Sequence, residues 1–222
     1  MIVDLNLSGK NVLVVGAGHE AERKVEALLS QGCEIIVVAE IPSERIHQLW
    51  VAGKIRVKEV AVSGGGFLDY FDRLALVMAV TDDREVNRKI VDAARKRSIP
   101  AYAADDPEIS DFSHPAVINL YDTVQIAIST GGRSPLMAKI IREKAETIFR
   151  KIIQRGHVLQ IRLQELLRKE AQAILPTSDA RKKFLEAVLK DEAIRKLLDE
   201  ERIEEAAQLA LKQLREECSH KI

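Results

Sequence analysis

Three short polar segments in this chain follow apolar runs and carry side chains suited to chemistry. The first is Gly16-Ala17-Gly18-His19-Glu20, directly after Val12-Leu13-Val14-Val15. Glycines in that spacing turn sharply and let a backbone approach a phosphate with no Cβ in the way. Ala21 takes the third small position, where a following helix must pack close to the strand. The free N–H groups at that helix start attract anions. Gly16, Ala17, Gly18, His19 and Glu20 are therefore expected to hold the pyrophosphate of a dinucleotide. Glu40 ends the next apolar run, about twenty residues further on, where a carboxylate suits a ribose 2′-hydroxyl and disfavours a 2′-phosphate. That favours NAD over NADP. Glu40 fits a solvated turn before Pro42 equally well.

The second segment is Thr81-Asp82-Asp83 and the third is Asp105-Asp106-Pro107. Thr81 and Asp82 are candidates to touch the cofactor or to order its loop, while Asp83 suits the cap of a helix opening at Arg84. Asp105 can accept a proton if it is partly desolvated. The same run is good turn chemistry, with Asp106 the better capping residue.

Strands alternating with helices must position these segments. Glu34–Ala39 is a continuous apolar run, as a strand buried on both faces requires. Helical spacing over 43–52 turns Ile46, Leu49 and Trp50 inward. Residues 55–60, 74–80 and 99–104 read as further strands. A helix over 84–97 buries Val86, Ile90, Val91 and Ala94. The first helix turns Val25, Leu28 and Leu29 inward, with Arg23, Lys24 and Glu26 elsewhere. This grammar predicts an α/β fold, a Rossmann-like doubly wound parallel sheet with ligands at the carboxyl ends of its strands.

The pattern then changes. Residues 116–120 and 124–129 read as two antiparallel strands, followed by Ser129-Thr130-Gly131-Gly132-Arg133-Ser134-Pro135. Ser134 is a natural N-cap and Pro135 a natural first helical residue. Helices are expected near 135–154, 156–174, 178–190 and 202–217. The predicted organisation is an NAD-binding Rossmann domain over 1–112, a small α+β dimerisation segment over 113–150 and a helical C-terminal region over 151–222.

Acidic and basic residues balance at 34 each, so no net field draws the chain to nucleic acid. No recognition-helix signature or basic cluster is present, and no apolar stretch approaches a membrane span. Cys33 and Cys218 fit no metal or redox spacing, which points to a reducing cytoplasm. No His, Cys or Asp cluster has metal-ligand spacing, so no bound metal is expected.

Several blocks in order resemble one family. They are residues 7–16 (LSGKNVLVVG), Ala21-Glu22-Arg23-Lys24-Val25, Val80-Thr81-Asp82-Asp83 with Asn87, Asp105-Asp106-Pro107, Asp111-Phe112, His114-Pro115-Ala116, and residues 126–135 (IAISTGGRSP). Together they are similar to the precorrin-2 dehydrogenase and sirohydrochlorin ferrochelatase family of siroheme, and hence porphyrin-type, biosynthesis. The resemblance covers about residues 1–150; the helical tail is less specific, through Phe184-Leu185 and Val188-Leu189.

The resemblance implies NAD-dependent oxidation of precorrin-2, a tetrapyrrole with eight carboxylates, to sirohydrochlorin. In bifunctional members a lyase step follows, with ferrous iron inserted as a substrate to give siroheme. It implies a homodimer and makes Asp105 the family's catalytic aspartate. His114 departs from the family, which usually has an apolar residue there. It is a candidate second proton acceptor, or a hydrogen-bonded loop histidine. His19 also departs, leaning over the pyrophosphate or pointing to solvent. Ser129, Thr130, Gly131, Gly132, Arg133 and Ser134 combine hydroxyls, a guanidinium and a helix start. They are candidates for substrate carboxylates, or a crossover loop into dimer helices. Two other readings of the chain are a non-enzymatic NAD-sensing regulatory module and another NAD-dependent dehydrogenase.

Overall fold

The computed structural model describes residues 2–219. It divides into two compact units, Met1–His114 and Pro115–Ile222.

The first unit holds strands β1 (Asn11–Val15), β2 (Glu34–Ala39), β3 (Arg56–Glu59), β4 (Leu74–Ala79) and β5 (Ala101–Ala103). All pair in parallel, in the order β3-β2-β1-β4-β5. Helices α1 (His19–Leu28) and α2 (Glu44–Val51) cover one face, and α3 (Arg84–Lys96) covers the other. Connections from β1 lead outward to β2 and β3, and the chain then crosses to β4 on the other side of β1. That reversal opens a crevice above β1 and β4. Each face of the sheet has its own core. Val12, Val14, Val25, Ile35, Val37 and Ile46 fill one, and Leu13, Val15, Val38, Val77, Ile90 and Val91 the other. The sheet is therefore buried on both sides, as its unbroken apolar strands require.

The ends of the helices follow from their sequence. The Ser43 hydroxyl accepts from Ile46 N–H at the start of α2, and the Asp83 carboxylate accepts from Glu85 and Val86 N–H at the start of α3. Arg95 and Lys96 occupy the last turn of α3, where the helix dipole favours cations. Two expectations are corrected. Trp50 is exposed rather than inward, because the buried stripe of the short α2 ends at Leu49. Lys24 is buried, 7% exposed: it shares with Ala21, Val25 and Leu28 the spacing of one helical face.

In the second unit, β6 (Ala116–Leu120) and β7 (Val124–Ile128) form an antiparallel hairpin. Its turn places Tyr121 and Asp122 at φ 57° and 50°, the left-handed geometry that tight hairpins need. Helix α4 (Pro135–Ile152) packs on the hairpin. Ser134 caps it through Met137 N–H, with Pro135 first in the helix. Helices α5 (Arg155–Ile174), α6 (Ser178–Lys190), α7 (Glu192–Asp199) and α8 (Ile203–Ser219) form a bundle. Its core includes Leu163, Leu167, Phe184, Val188, Ile194, Leu198 and Leu214. Helix α7 is not among the helices expected from the sequence. Asp191 caps it through Ile194 N–H, and Ile194 and Leu198 seat it in the core.

No helix among the described residues is long and apolar enough to cross a membrane. Cys33 is a free, half-buried thiol; the Cys218 side chain lies outside the described residues.

Candidate active site

The carboxyl ends of β1, β2 and β4 frame a cleft of about 490 Å³. Gly16, Ala17, Gly18, Glu40, Thr81 and Asp82 line it, with Val38, Ala39, Ser43 and Val80 among their neighbours. Gly16 sits at φ +117°, and a Cβ on it would lie 2.6 Å from the Val80 carbonyl oxygen. Only glycine lets β1 turn against the end of β4 here. Gly18 is the N-cap of α1 and offers no side chain to its first turn. Glu22 N–H bonds back to the Gly18 carbonyl at 3.1 Å. The N–H groups before it are available to an anion at the helix start. Glu40 is exposed on the cleft wall. Glycine corner, uncapped helix start and carboxylate thus fit a dinucleotide.

His19 and Glu20 stand apart from that lining. The His19 side chain is 90% exposed and 3.5 Å from Glu22, so it points to solvent. Glu20 turns back along α1, 2.7 Å from Arg23 and 3.2 Å from the Lys24 ammonium.

The second polar cluster joins β4, α3 and β5. Asn87 is fully buried. Its Oδ1 accepts from Thr81 N–H at 3.0 Å and from the Thr81 hydroxyl at 2.7 Å. Its Nδ2 donates to the Thr81 carbonyl at 3.0 Å and to Asp105 Oδ1 at 2.9 Å. The Asp105 side chain remains 33% exposed, with Arg84 Nε 3.9 Å from its other oxygen. The adjacent Asp106 has the opposite setting. Its side chain is 6% exposed, ion-paired to Arg84 at 3.0 Å and to Arg88 at 3.6 Å, and it caps Glu108 N–H. The Arg84 hydrogen bond holds its carboxyl below the usual range, against the opposing pull of burial. Of the two aspartates, Asp106 is committed to structure and Asp105 faces outward.

His114 packs against the rings of Tyr102 (4.8 Å between centroids) and Phe112 (5.6 Å). Desolvation by these neighbours, with the Lys24 charge next in size, lowers its pKa from 6.5 to about 4. It is therefore neutral near pH 7. The Lys24 ammonium lies 4.4 Å from the centre of the Tyr102 ring. Burial lowers the Lys24 pKa, and Glu20 opposes that shift. Burial, followed by the Glu20 charge, raises that of Tyr102.

The loop over 129–134 belongs to the second unit, and its hydroxyls shape its own backbone. Ser129 Oγ accepts from Gly131 N–H, and Thr130 Oγ1 bonds Ser134 at both N–H and carbonyl. Gly131 and Gly132 sit at φ 63° and 78°. Arg133 is exposed. Among the described residues, no group of three or more His, Cys, Asp or Glu is arranged to hold a metal ion.

The sequence pattern gives Asn87 and Tyr102 no role and places Lys24 off the buried face of α1, whereas the structure buries it. The 21/24/25/28 spacing, one helical face, is the signal by which Lys24 could be found. For Asn87 the signal was its place one turn beyond the Asp83 cap, where a side chain faces back to the strand end.

The model of a putative NAD(P)-binding family matches residues 3–116. The chain belongs to that NAD(P)-binding family. A second model, of the central part of sirohaem biosynthesis proteins, matches residues 122–146. The siroheme synthase of Methylococcus capsulatus is 36% identical over 192 residues, covering 85% of this chain and 38% of the relative. That of Photorhabdus laumondii is 37% identical over 145 residues, covering 65% and 30%. The chain thus spans well under half the length of these curated relatives. A solved structure titled SirC, precorrin-2 dehydrogenase, matches with a TM-score of 0.66 and 25% identity, over 96% of this chain and 99% of that one. These likenesses bear out the family resemblance read from the sequence and the Rossmann-like fold expected of this NAD(P)-binding protein.

Proposed function

We propose that this chain is an NAD-dependent precorrin-2 dehydrogenase that oxidises precorrin-2 to sirohydrochlorin. One observation carries the reading. Asn87 ties Thr81, on the wall of the cofactor cleft, to the outward-facing Asp105 carboxylate. A proton acceptor thus stands beside the place where a dinucleotide would end. The near full-length likeness to SirC supports the substrate.

A bound nicotinamide supplies the hydride acceptor. Gly16, Gly18 and the start of α1 would hold its pyrophosphate, and Glu40 would receive a ribose hydroxyl, which favours NAD over NADP. Thr81 and Asp82 bound the cleft on the β4 side. Asp105 accepts the proton that leaves the macrocycle as its hydride departs, and releases it to solvent through its exposed edge. The balance is one hydride to the cofactor and one proton to Asp105, giving sirohydrochlorin, NADH and a proton. His114, packed on the Tyr102 and Phe112 rings with its pKa lowered to about 4, is weakly basic and serves better as packing than as a second base. Arg133 and the 129–134 loop suit substrate carboxylates. Iron, where used, is a substrate held briefly.

We further propose a cytoplasmic homodimer. Met137, Ile141, Ile148 and Ile152 are exposed and share one stripe of α4, an apolar face that a partner copy would cover.

Purified chain, precorrin-2 and NAD are mixed anaerobically and followed by absorbance. A sirohydrochlorin spectrum that requires NAD is expected. Ferrous iron added afterwards accelerates siroheme formation over the protein-free rate if the chain is also a chelatase. Tight NAD binding with no spectral change would overturn the enzyme and favour a sensor.

A further inference from the structure

We propose that Asn87 is a positioning residue for the reaction, fixing the Asp105 carboxylate against the Thr81 wall of the cofactor cleft. The proposal rests on the reading of Asp105 as the proton acceptor.

A side-chain amide has two N–H donors and an oxygen with two lone pairs. Asn87 uses all four. Its oxygen takes the Thr81 N–H and hydroxyl, and its nitrogen serves the Thr81 carbonyl and Asp105 Oδ1. The partners also fix which end is which. A flipped amide would point N–H at N–H and oxygen at a carbonyl and a carboxylate. The orientation is therefore unique, and it reads a donor toward Asp105.

Three of these bonds satisfy the end of β4, as any buried strand end requires. The fourth satisfies the amide's own second N–H, and the acceptor it takes is the outward-facing carboxylate. Asp105 is one-third exposed and water could solvate it at little cost. Spending a buried donor on an accessible carboxylate fixes its direction instead. Arg84 is a weaker candidate for that task. Its Nε lies 3.9 Å from Asp105, its side chain is 73% exposed, and its short contact goes to Asp106. Asn87 Nδ2 holds Oδ1, which leaves Oδ2 to receive the proton. Because Thr81 shares the same amide, the cleft wall and the carboxylate move as one piece.

Two variants separate positioning from mere support. Asn87→Leu removes the donor to Asp105 along with the bonds to Thr81. Asn87→Asp keeps the shape and both acceptor bonds to Thr81, loses the donor to the Thr81 carbonyl, and places a like charge against Asp105. Turnover of precorrin-2 by the full chain with NAD is measured against pH, beside the thermal midpoint. Asn87→Leu is expected to lower kcat by about 10²-fold with KM nearly unchanged, the scale of a misplaced reacting group. Asn87→Asp is expected to move the acid limb of the kcat profile upward by about one to two pH units, as paired carboxylates do. If Asn87→Leu fails to fold, the near-isosteric Asn87→Asp still decides. A second readout needs no turnover: the carboxyl carbon resonance of Asp105 changes its response to pH in Asn87→Asp. Normal wild-type turnover with an unmoved acid limb and an unchanged Asp105 resonance in Asn87→Asp overturns the positioning role alone. No turnover by wild type, with the resonance response altered, overturns the functional reading and the positioning role of Asn87 with it.

Discussion

The two units bury polar groups very differently. Among the described residues, Lys24, Asn87 and Asp106 are the buried polar side chains, and all three lie in the first unit. Each is paired: Lys24 with Glu20 and the Tyr102 ring, Asn87 with Thr81 and Asp105, Asp106 with Arg84 and Arg88. The second unit packs its bundle with apolar side chains. It keeps its ion pairs on helix surfaces, as in Arg142–Glu146–Arg150 and Asp179–Lys183. Burying a polar group costs free energy unless every bond is made. Two of the three, Asn87 and Asp106, flank Asp105 near the ends of β4 and β5, where they order the carboxylate ledge. The second unit buries no whole polar side chain among the described residues, although the Gln160 amide nitrogen of α5 is buried without a partner.

The sharpest way to break this contrast is at Asp105. Asp105→Ala is expected to cut turnover by about 10²–10⁴-fold, the range of general-base catalysis, with NAD affinity unchanged and stability lowered by about 1–3 kcal/mol, because the buried Asn87 amide loses its acceptor. Asp105→Asn, which keeps an acceptor there, should lose turnover with little change in the thermal midpoint; near-normal turnover in either variant would mean that Asp105 is not the base. Next comes Gly16→Ala. Its Cβ would meet the Val80 carbonyl at 2.6 Å in a backbone at φ +117°, so a loss of about 1–3 kcal/mol is expected. Urea unfolding measures that loss, and titration with NAD should show weakened binding.

A pH effect follows from His114. Its folded pKa of about 4 lies below the ordinary 6.5, so the unfolded chain binds the proton more readily between these values. The stabilisation is complete above pH 6.5 and is lost as pH falls toward 4. The residue is exposed as a whole, and solvent screening keeps the effect to about 1 kcal/mol or less. Comparing thermal midpoints of His114→Gln and wild type across that window checks it; the variant should show the flatter slope. The smallest effect is expected in the second unit. Arg150→Ala breaks an exposed pair on α4 and should change stability by no more than about 0.5 kcal/mol. A larger loss on urea unfolding would mean that surface charge contributes more there than its exposure suggests.

Much of this was legible in the sequence, and for a physical reason. Parallel strands buried on both faces must be apolar throughout, so β1, β2 and β4 stood out, and Gly16, Asp83 and Ser134 are residues that local backbone geometry demands. The cofactor corner is a local feature and was readable as such. The Asp105 ledge is not local: Thr81, Asn87 and Asp105 come from the ends of three different elements, and sequence marked two of them as polar breaks without showing the amide that joins them. Lys24 was hidden because a charged residue on a helix is ordinarily read as solvated. Helix α7 was hidden because it is short and its capping Asp191 lies in a charged run.

The most direct measurement of the central claim is anaerobic NADH formation from precorrin-2 and NAD, with wild type and Asp105→Asn side by side. Stoichiometric NADH from wild type and a near-baseline rate from the variant are predicted. Equal rates from the two, or none from wild type, would contradict the account.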